Sequence, residues 1–141
     1  ANNYCADCGE AGPDWAVLNW GVLVCIECSG VHRSLGVHVS KVRSLTLDTW
    51  DTGLLDLMTA VGNEGANAVL EAVPVGAKPT PQSTRQEKAE WIEAKYKARE
   101  FVEPAWALGA LPTQLCAAAR ADQVRRAWTL LAQGAPPDAP A

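Results

Sequence analysis

Apolar and polar positions change rhythm several times along the chain. From Trp15 to Cys25 the residues are largely apolar, broken by Asn19 and Gly21, which predicts a short strand around Val22–Val24. Ile26 to Leu35 predicts a short helix that stops at Gly36, a residue suited to a left-handed C-terminal cap. Lys41 to Asp48 alternates, with Arg43, Leu45 and Leu47 on one face and Ser44, Thr46 and Asp48 on the other, and predicts a strand. After a turn at Trp50–Gly53, Leu54, Leu57, Met58 and Val61 recur at helical spacing, with a continuation through Ala66, Val69 and Leu70. Gly62 and Gly65 weaken its middle, so the pattern allows one bent helix or two short ones.

Val73 to Pro81 reads as a loop from its Pro and Gly content. Ser83 or Thr84, followed three residues on by Gln86 or Glu87, marks the start of a helix expected to reach about Phe101, with Pro104 ending it. Beyond this point the character changes. Leu115–Ala119 and Val124–Leu131, closed by Gly134, read as two short Ala-rich helices similar to the helix pair of an ankyrin repeat. A repeat of that kind needs neighbours to bury its face. The expected fold class is therefore α+β. A four-cysteine module and a small central sheet are surrounded by helices in residues 1–104, and a partial ankyrin-like region occupies residues 105–141.

The cysteines add the chemistry. Cys5 and Cys8 form one C-x2-C knuckle, Cys25 and Cys28 a second, and sixteen residues separate the pairs. Two knuckles at this separation suit one tetrahedral Zn2+, with each sulfur at about 2.3 Å. A disulfide framework is the competing reading, and it would leave the fifth cysteine, Cys116, unpaired. The chain shows no signal peptide and does not begin with Met, so it is expected to be part of a larger cytosolic protein. In a reducing compartment a metal explains four clustered thiols better. With all four positions filled by sulfur, the zinc would be structural, with no open coordination site.

Composition limits the partners. At 141 residues and 48% hydrophobic content the chain can bury a core, and six tryptophans supply bulk for it. A net charge of −4 argues against a general nucleic-acid binder. Four-cysteine DNA-binding fingers of the GATA type carry a basic tail, whereas residues 46–77 contain no Lys or Arg. No polybasic cluster supports direct binding to a lipid surface. There is no G-x-x-x-x-G-K-[ST] loop to hold a nucleotide and no convincing Ser-His-Asp or Cys-His arrangement. His32 and His38 are expected to be satisfied side chains, because four sulfurs already saturate the metal. Asp48 and Asp51 are explained by strand-end and turn positions as well as by paired-carboxylate chemistry.

These residues together resemble the Arf GTPase-activating proteins. The resemblance rests on C-x2-C-x16-C-x2-C-x4-R, ending at Arg33, and on Pro13–Asp14–Trp15–Ala16, Ser29–Gly30–Val31–His32 and Leu35–Gly36–Val37–His38–Val39–Ser40–Lys41. Val42–Arg43–Ser44–Leu45, Gly62–Asn63, Lys78–Pro79, Ser83–Thr84–Arg85 and Lys95–Tyr96 extend it, so that it covers roughly residues 1 to 104. Val17, Trp20 and Leu70 depart from the family's usual residues while keeping apolar bulk. The resemblance implies activation of GTP hydrolysis on an Arf-family small GTPase in its GTP form, in membrane traffic or actin regulation. Arg33 would be the arginine finger supplied in trans, Trp15 would help pack the metal module, and Trp15, Ser40, Lys41 and Arg43 would be candidate partner contacts. The ankyrin-like tail is similar to that of members that carry a PH domain before this module and ankyrin repeats after it. Membrane lipids would then be reached only through domains outside this chain, giving a cytoplasmic protein with peripheral membrane association. A catalytically silent zinc and ankyrin scaffold is the alternative reading.

Overall fold

A computed structural model describes residues 3–47, 52–73, 76–103 and 124–133. Strands β1 (Trp15–Val17), β2 (Val22–Val24) and β3 (Val42–Ser44) form an antiparallel sheet of order β2-β1-β3. Its register pairs Ala16 with Leu23 on one side and with Arg43 on the other. The β1–β2 connection turns at Gly21, whose φ of 67° suits a residue without a side chain. A Cβ there would also lie 2.8 Å from the Cβ of Val61, so the turn doubles as a slot for the helix that carries Val61.

Helix α1 spans Ile26–Ser34 and stops at Leu35 and Gly36, as its sequence predicts. The strand expected over Lys41–Asp48 is shorter, only Val42–Ser44. The Ser44 hydroxyl accepts the amides of Thr46 and Leu47 at 3.2 and 3.1 Å and turns the chain out of the sheet. Leu45 and Leu47 are left exposed. Trp50 and Asp51, like Asp48, lie outside the described residues.

Helix α2 (Thr52–Leu70) is broken at Gly62, which has φ 70° and ψ 168°, so two helical pieces meet at one of the two glycines the sequence offered. The break lets Asn63 reach the sheet edge: its Oδ1 accepts the Leu23 amide at 2.7 Å, and its Nδ2 donates to Tyr4 O at 2.7 Å and Leu23 O at 3.1 Å. Helix α3 (Arg85–Ile92) starts at Thr84 with a full capping box to Glu87. It runs on as a π-helical turn, Glu93–Lys97, and ends there rather than near Phe101. Ala98 N donates to Glu93 O and Glu100 N to Ala94 O, with Arg99 at φ 52°. This wide turn accompanies the burial of two adjacent residues, Lys95 and Tyr96.

The core gathers Val17, Trp20, Val22, Val24, Val31, Val61, Leu70, Ile92 and Tyr96 around the cysteines. Helix α4 (Val124–Ala132) packs on it through Trp128, whose ring meets Trp20 edge-on at 6.5 Å and whose indole N–H donates to Asn19 O at 3.1 Å. Leu115–Ala119, Cys116 and Gly134 lie outside the described residues.

Candidate metal centre and arginine site

The four knuckle cysteines are buried, and their sulfurs all lie within 4.8 Å of one another. Four sulfurs at 2.3 Å around one ion would sit about 3.8 Å apart. The Sγ atoms of Cys8 and Cys25 are separated by 3.7 Å. Backbone amides face the cluster: Asp7 N points to Cys5 Sγ and Cys28 N to Cys25 Sγ, each at 3.4 Å. Cys25 is also the N-cap of α1, where the helix favours a negative sulfur. Hydrogen bonds from the thiols of Cys28 and Cys5 pull the Cys25 thiol down to about 2. The matching bond to Cys25 pushes Cys5 up to about 12 and raises Cys28 as well, while burial raises Cys8. Without a cation the cluster favours one thiolate at the expense of the others. A metal ion at its centre would stabilise all four thiolates together, and the donor set is positioned to bind one such ion.

The metal knuckle leads directly into α1, which carries Arg33 in its last turn. Arg33 is exposed, and its guanidinium lies 5.1 Å from the centre of the half-buried Trp15 ring on β1. Lys88, on α3, forms a 2.9 Å ion pair with Glu27 inside the second knuckle and donates to Pro81 O at 3.1 Å, tying α1 to α3. The segment after Arg33 is held from below. Asn19 Nδ2 and Trp20 Nε1 both donate to Val39 O at 2.8 Å, and Lys41 N donates to Asn19 Oδ1 at 3.0 Å. Among the residues expected to touch a partner, Lys41 and Arg43 are exposed. Ser40 is buried, and its hydroxyl meets the ring of His32 rather than the surface.

Sequence reasoning missed the centre of this arrangement. Asp7, between the first two cysteines, is almost completely buried. Its Oδ1 accepts from Lys95 Nζ at 2.9 Å and Tyr96 OH at 2.6 Å, while its Oδ2 lies 2.8 Å from His32 Nε2. Lys95 also donates to Ala6 O, Asn67 Oδ1 and Glu71 Oε2. Burial alone would raise the Asp7 carboxyl, but Lys95 and His32 outweigh it and hold the group well below the usual carboxylate range. The Tyr96 hydroxyl is pushed the other way, first by burial and then by the Asp7 charge. The only sequence signals were a polar residue inside each knuckle and the Lys95–Tyr96 pair.

The geometry defines a class: a small α+β domain built on four clustered cysteines positioned to bind one metal ion, with an exposed arginine on the helix that the second pair begins. A family model described as "Putative GTPase activating protein for Arf" matches residues 1–105, and the chain belongs to this ArfGap family. It is 55% identical over 107 residues to the human Arf-GAP with coiled-coil, ANK repeat and PH domain-containing protein 3, covering 74% of this chain and 13% of that protein. Over 118 residues it is 54% identical to the chicken Arf-GAP with coiled-coil, ANK repeat and PH domain-containing protein 2, covering 80% and 15%. An ADP-ribosylation factor GTPase-activating protein of Arabidopsis thaliana, AGD12, is 46% identical over 106 residues, covering 73% and 32%. The chain thus spans only a small part of these relatives. The ArfGap domain of human RIP shares the fold at a TM-score of 0.67 and 24% identity, covering 77% of this chain and 82% of that one. The ArfGap domain of HIV-1 Rev binding protein does so at 0.64 and 22%, covering 77% and 83%. No helix among the described residues is long and apolar enough to cross a membrane.

Proposed function

We propose that this domain stimulates GTP hydrolysis on an Arf-type GTPase in its GTP form, with Arg33 as the finger and one structural Zn2+ held by Cys5, Cys8, Cys25 and Cys28. The observation that carries the reading is the position of Arg33: an exposed residue with its guanidinium over the Trp15 ring, yet rooted in the helix that Cys25 and Cys28 begin. A guanidinium delivered to the γ-phosphate neutralises charge that grows in the transition state. Such fingers accelerate hydrolysis by ~10³–10⁵, or roughly 4–7 kcal/mol of barrier. The zinc would supply no chemistry of its own beyond fixing the two knuckles. Trp15 would hold the guanidinium over its ring face, while Lys41 and Arg43 would offer charge to the partner. Residues 105–141 would begin an ankyrin-like region, and lipid contact would come from domains outside this chain, at the cytoplasmic face of a membrane.

Single-turnover hydrolysis of GTP preloaded on an Arf protein tests the reading. Arg33→Ala should lose at least ~10³ of the stimulation, and Arg33→Lys should recover little because lysine lacks the planar fork. Full stimulation by the alanine variant would overturn the finger role.

A further inference from the structure

The two cysteines of the second knuckle hold the beginning of α1, whereas Arg33 lies five residues beyond Cys28, in the last turn. Final helical turns lack part of their hydrogen bonding and fray unless something holds them. Here one buried ring does so. His32 is 0% exposed and immediately precedes Arg33. Its Nε2 lies 2.8 Å from Asp7 Oδ2, inside the first knuckle, and its Nδ1 lies 2.8 Å from Ser40 Oγ, in the segment that follows the helix. The ring edge rests on Tyr96 at 4.5 Å, and the Ser40 amide closes the turn by donating to Gly36 O at 2.9 Å.

We propose that His32, with Asp7 and Ser40, forms a positioning unit that fixes the angle at which Arg33 leaves its helix. The claim rests on the finger reading of Arg33 for its catalytic consequence, but its structural content stands apart from it. Consecutive helical residues point about 100° apart, so an inward His32 pinned from two sides leaves Arg33 one outward direction. Any rocking of the ring would be passed to the guanidinium, and a misplacement of ~1 Å can cost up to ~10²-fold in rate. None of the three residues needs to touch the GTPase or the nucleotide.

The test uses the 141-residue chain, loaded with one equivalent of zinc, as wild type, Ser40→Ala and His32→Phe. The phenylalanine keeps the ring contact with Tyr96 and deletes both hydrogen bonds. Backbone ¹⁵N relaxation, read without any GTPase, should show lower amide order over residues 33–41 in both variants and unchanged order over residues 15–24. In single-turnover assays the rate at saturating domain should fall about 10-fold, with half-saturation moving less than about two-fold. That loss should vanish in the Arg33→Ala background, because the unit acts through Arg33. Unchanged amide order in both variants, or an equal rate loss without Arg33, would overturn the proposal. If His32→Phe fails to fold, Ser40→Ala decides. If the wild type stimulates no Arf protein, the finger reading fails, and amide order alone decides the positioning claim.

Discussion

Replacing Lys95 by Met should destabilise the domain strongly. The two side chains are similar in length, so the substitution removes charge and donors more than volume. The Lys95 side chain is 0% exposed, and its ammonium lies 2.9 Å from Asp7 Oδ1, 2.9 Å from Glu71 Oε2, 2.7 Å from Asn67 Oδ1 and 3.3 Å from Ala6 O. Breaking a buried pair from one side costs about 3–5 kcal/mol, because the remaining charge stays buried. The lower end applies here, since Asp7 keeps His32 and Tyr96, and Glu71 keeps Lys78 at 2.9 Å. A loss of about 3 kcal/mol is a large part of a typical 5–15 kcal/mol stability. The control is Lys97→Met. Its pair with Glu93 spans 3.9 Å with both side chains more than half exposed, and should be worth less than about 0.5 kcal/mol. Urea unfolding of the zinc-loaded protein, followed by tryptophan fluorescence, measures both. With a slope near 2 kcal/mol per molar, Lys95→Met should lower the midpoint by about 1.5 M. A shift no larger than that of Lys97→Met would refute the view of Lys95 as the anchor of the network.

Three further outcomes can be checked. Elemental analysis should find one zinc per chain, and Cys28→Ser or a strong chelator should release it and collapse the tryptophan environment, since binding and folding share their free energy; a folded, metal-free protein would refute this. Thr84→Ala should cost about 1 kcal/mol in the same urea assay, through the capping box with Glu87, and a loss below about 0.3 kcal/mol would show that the cap contributes little. Trp128→Ala should undock α4, because losing a buried tryptophan costs about 3–5 kcal/mol, more than a nine-residue helix retains alone. Hydrogen exchange should then rise at 124–132 but not in α1, and unchanged protection of α4 would refute the docking.

What the sequence disclosed followed the range of the interactions involved. The metal knuckles, the α1 stop at Gly36, the Thr84 cap and the break in α2 are set by residues within a turn or two of each other, where spacing alone carries the information. The end of α3 was misjudged because a helical pattern does not distinguish an α-turn from the π-turn at Glu93–Lys97. Ser40 was expected at the partner surface by resemblance, and only the position of His32, eight residues earlier, shows that its hydroxyl faces inward. Asp7 carried only the faint signal of a polar residue inside a knuckle, since its partners lie 25, 88 and 89 residues away.

Those long-range bonds change what counts as the unit that presents Arg33. The four clustered cysteines bring residues 5–28 together, but the first knuckle is also bound from the far end of the domain, where Lys95 and Tyr96 both meet Asp7. The same Asp7 then reaches His32, the residue before the arginine. The bend at Gly62 belongs to the same fastening, because it delivers Asn63 to Tyr4, just before the first knuckle, and to Leu23, just before the second. In a four-cysteine finger alone, ending near Ser44, the Asp7 carboxylate would stand near the sulfurs with His32 but without the Lys95 ammonium. Such a cluster of like charge is costly even around a dication. The first knuckle and the π-turn therefore hold the arginine helix from opposite ends of the chain, and a fragment cut before Lys95 should bind metal more weakly as well as present Arg33 less firmly.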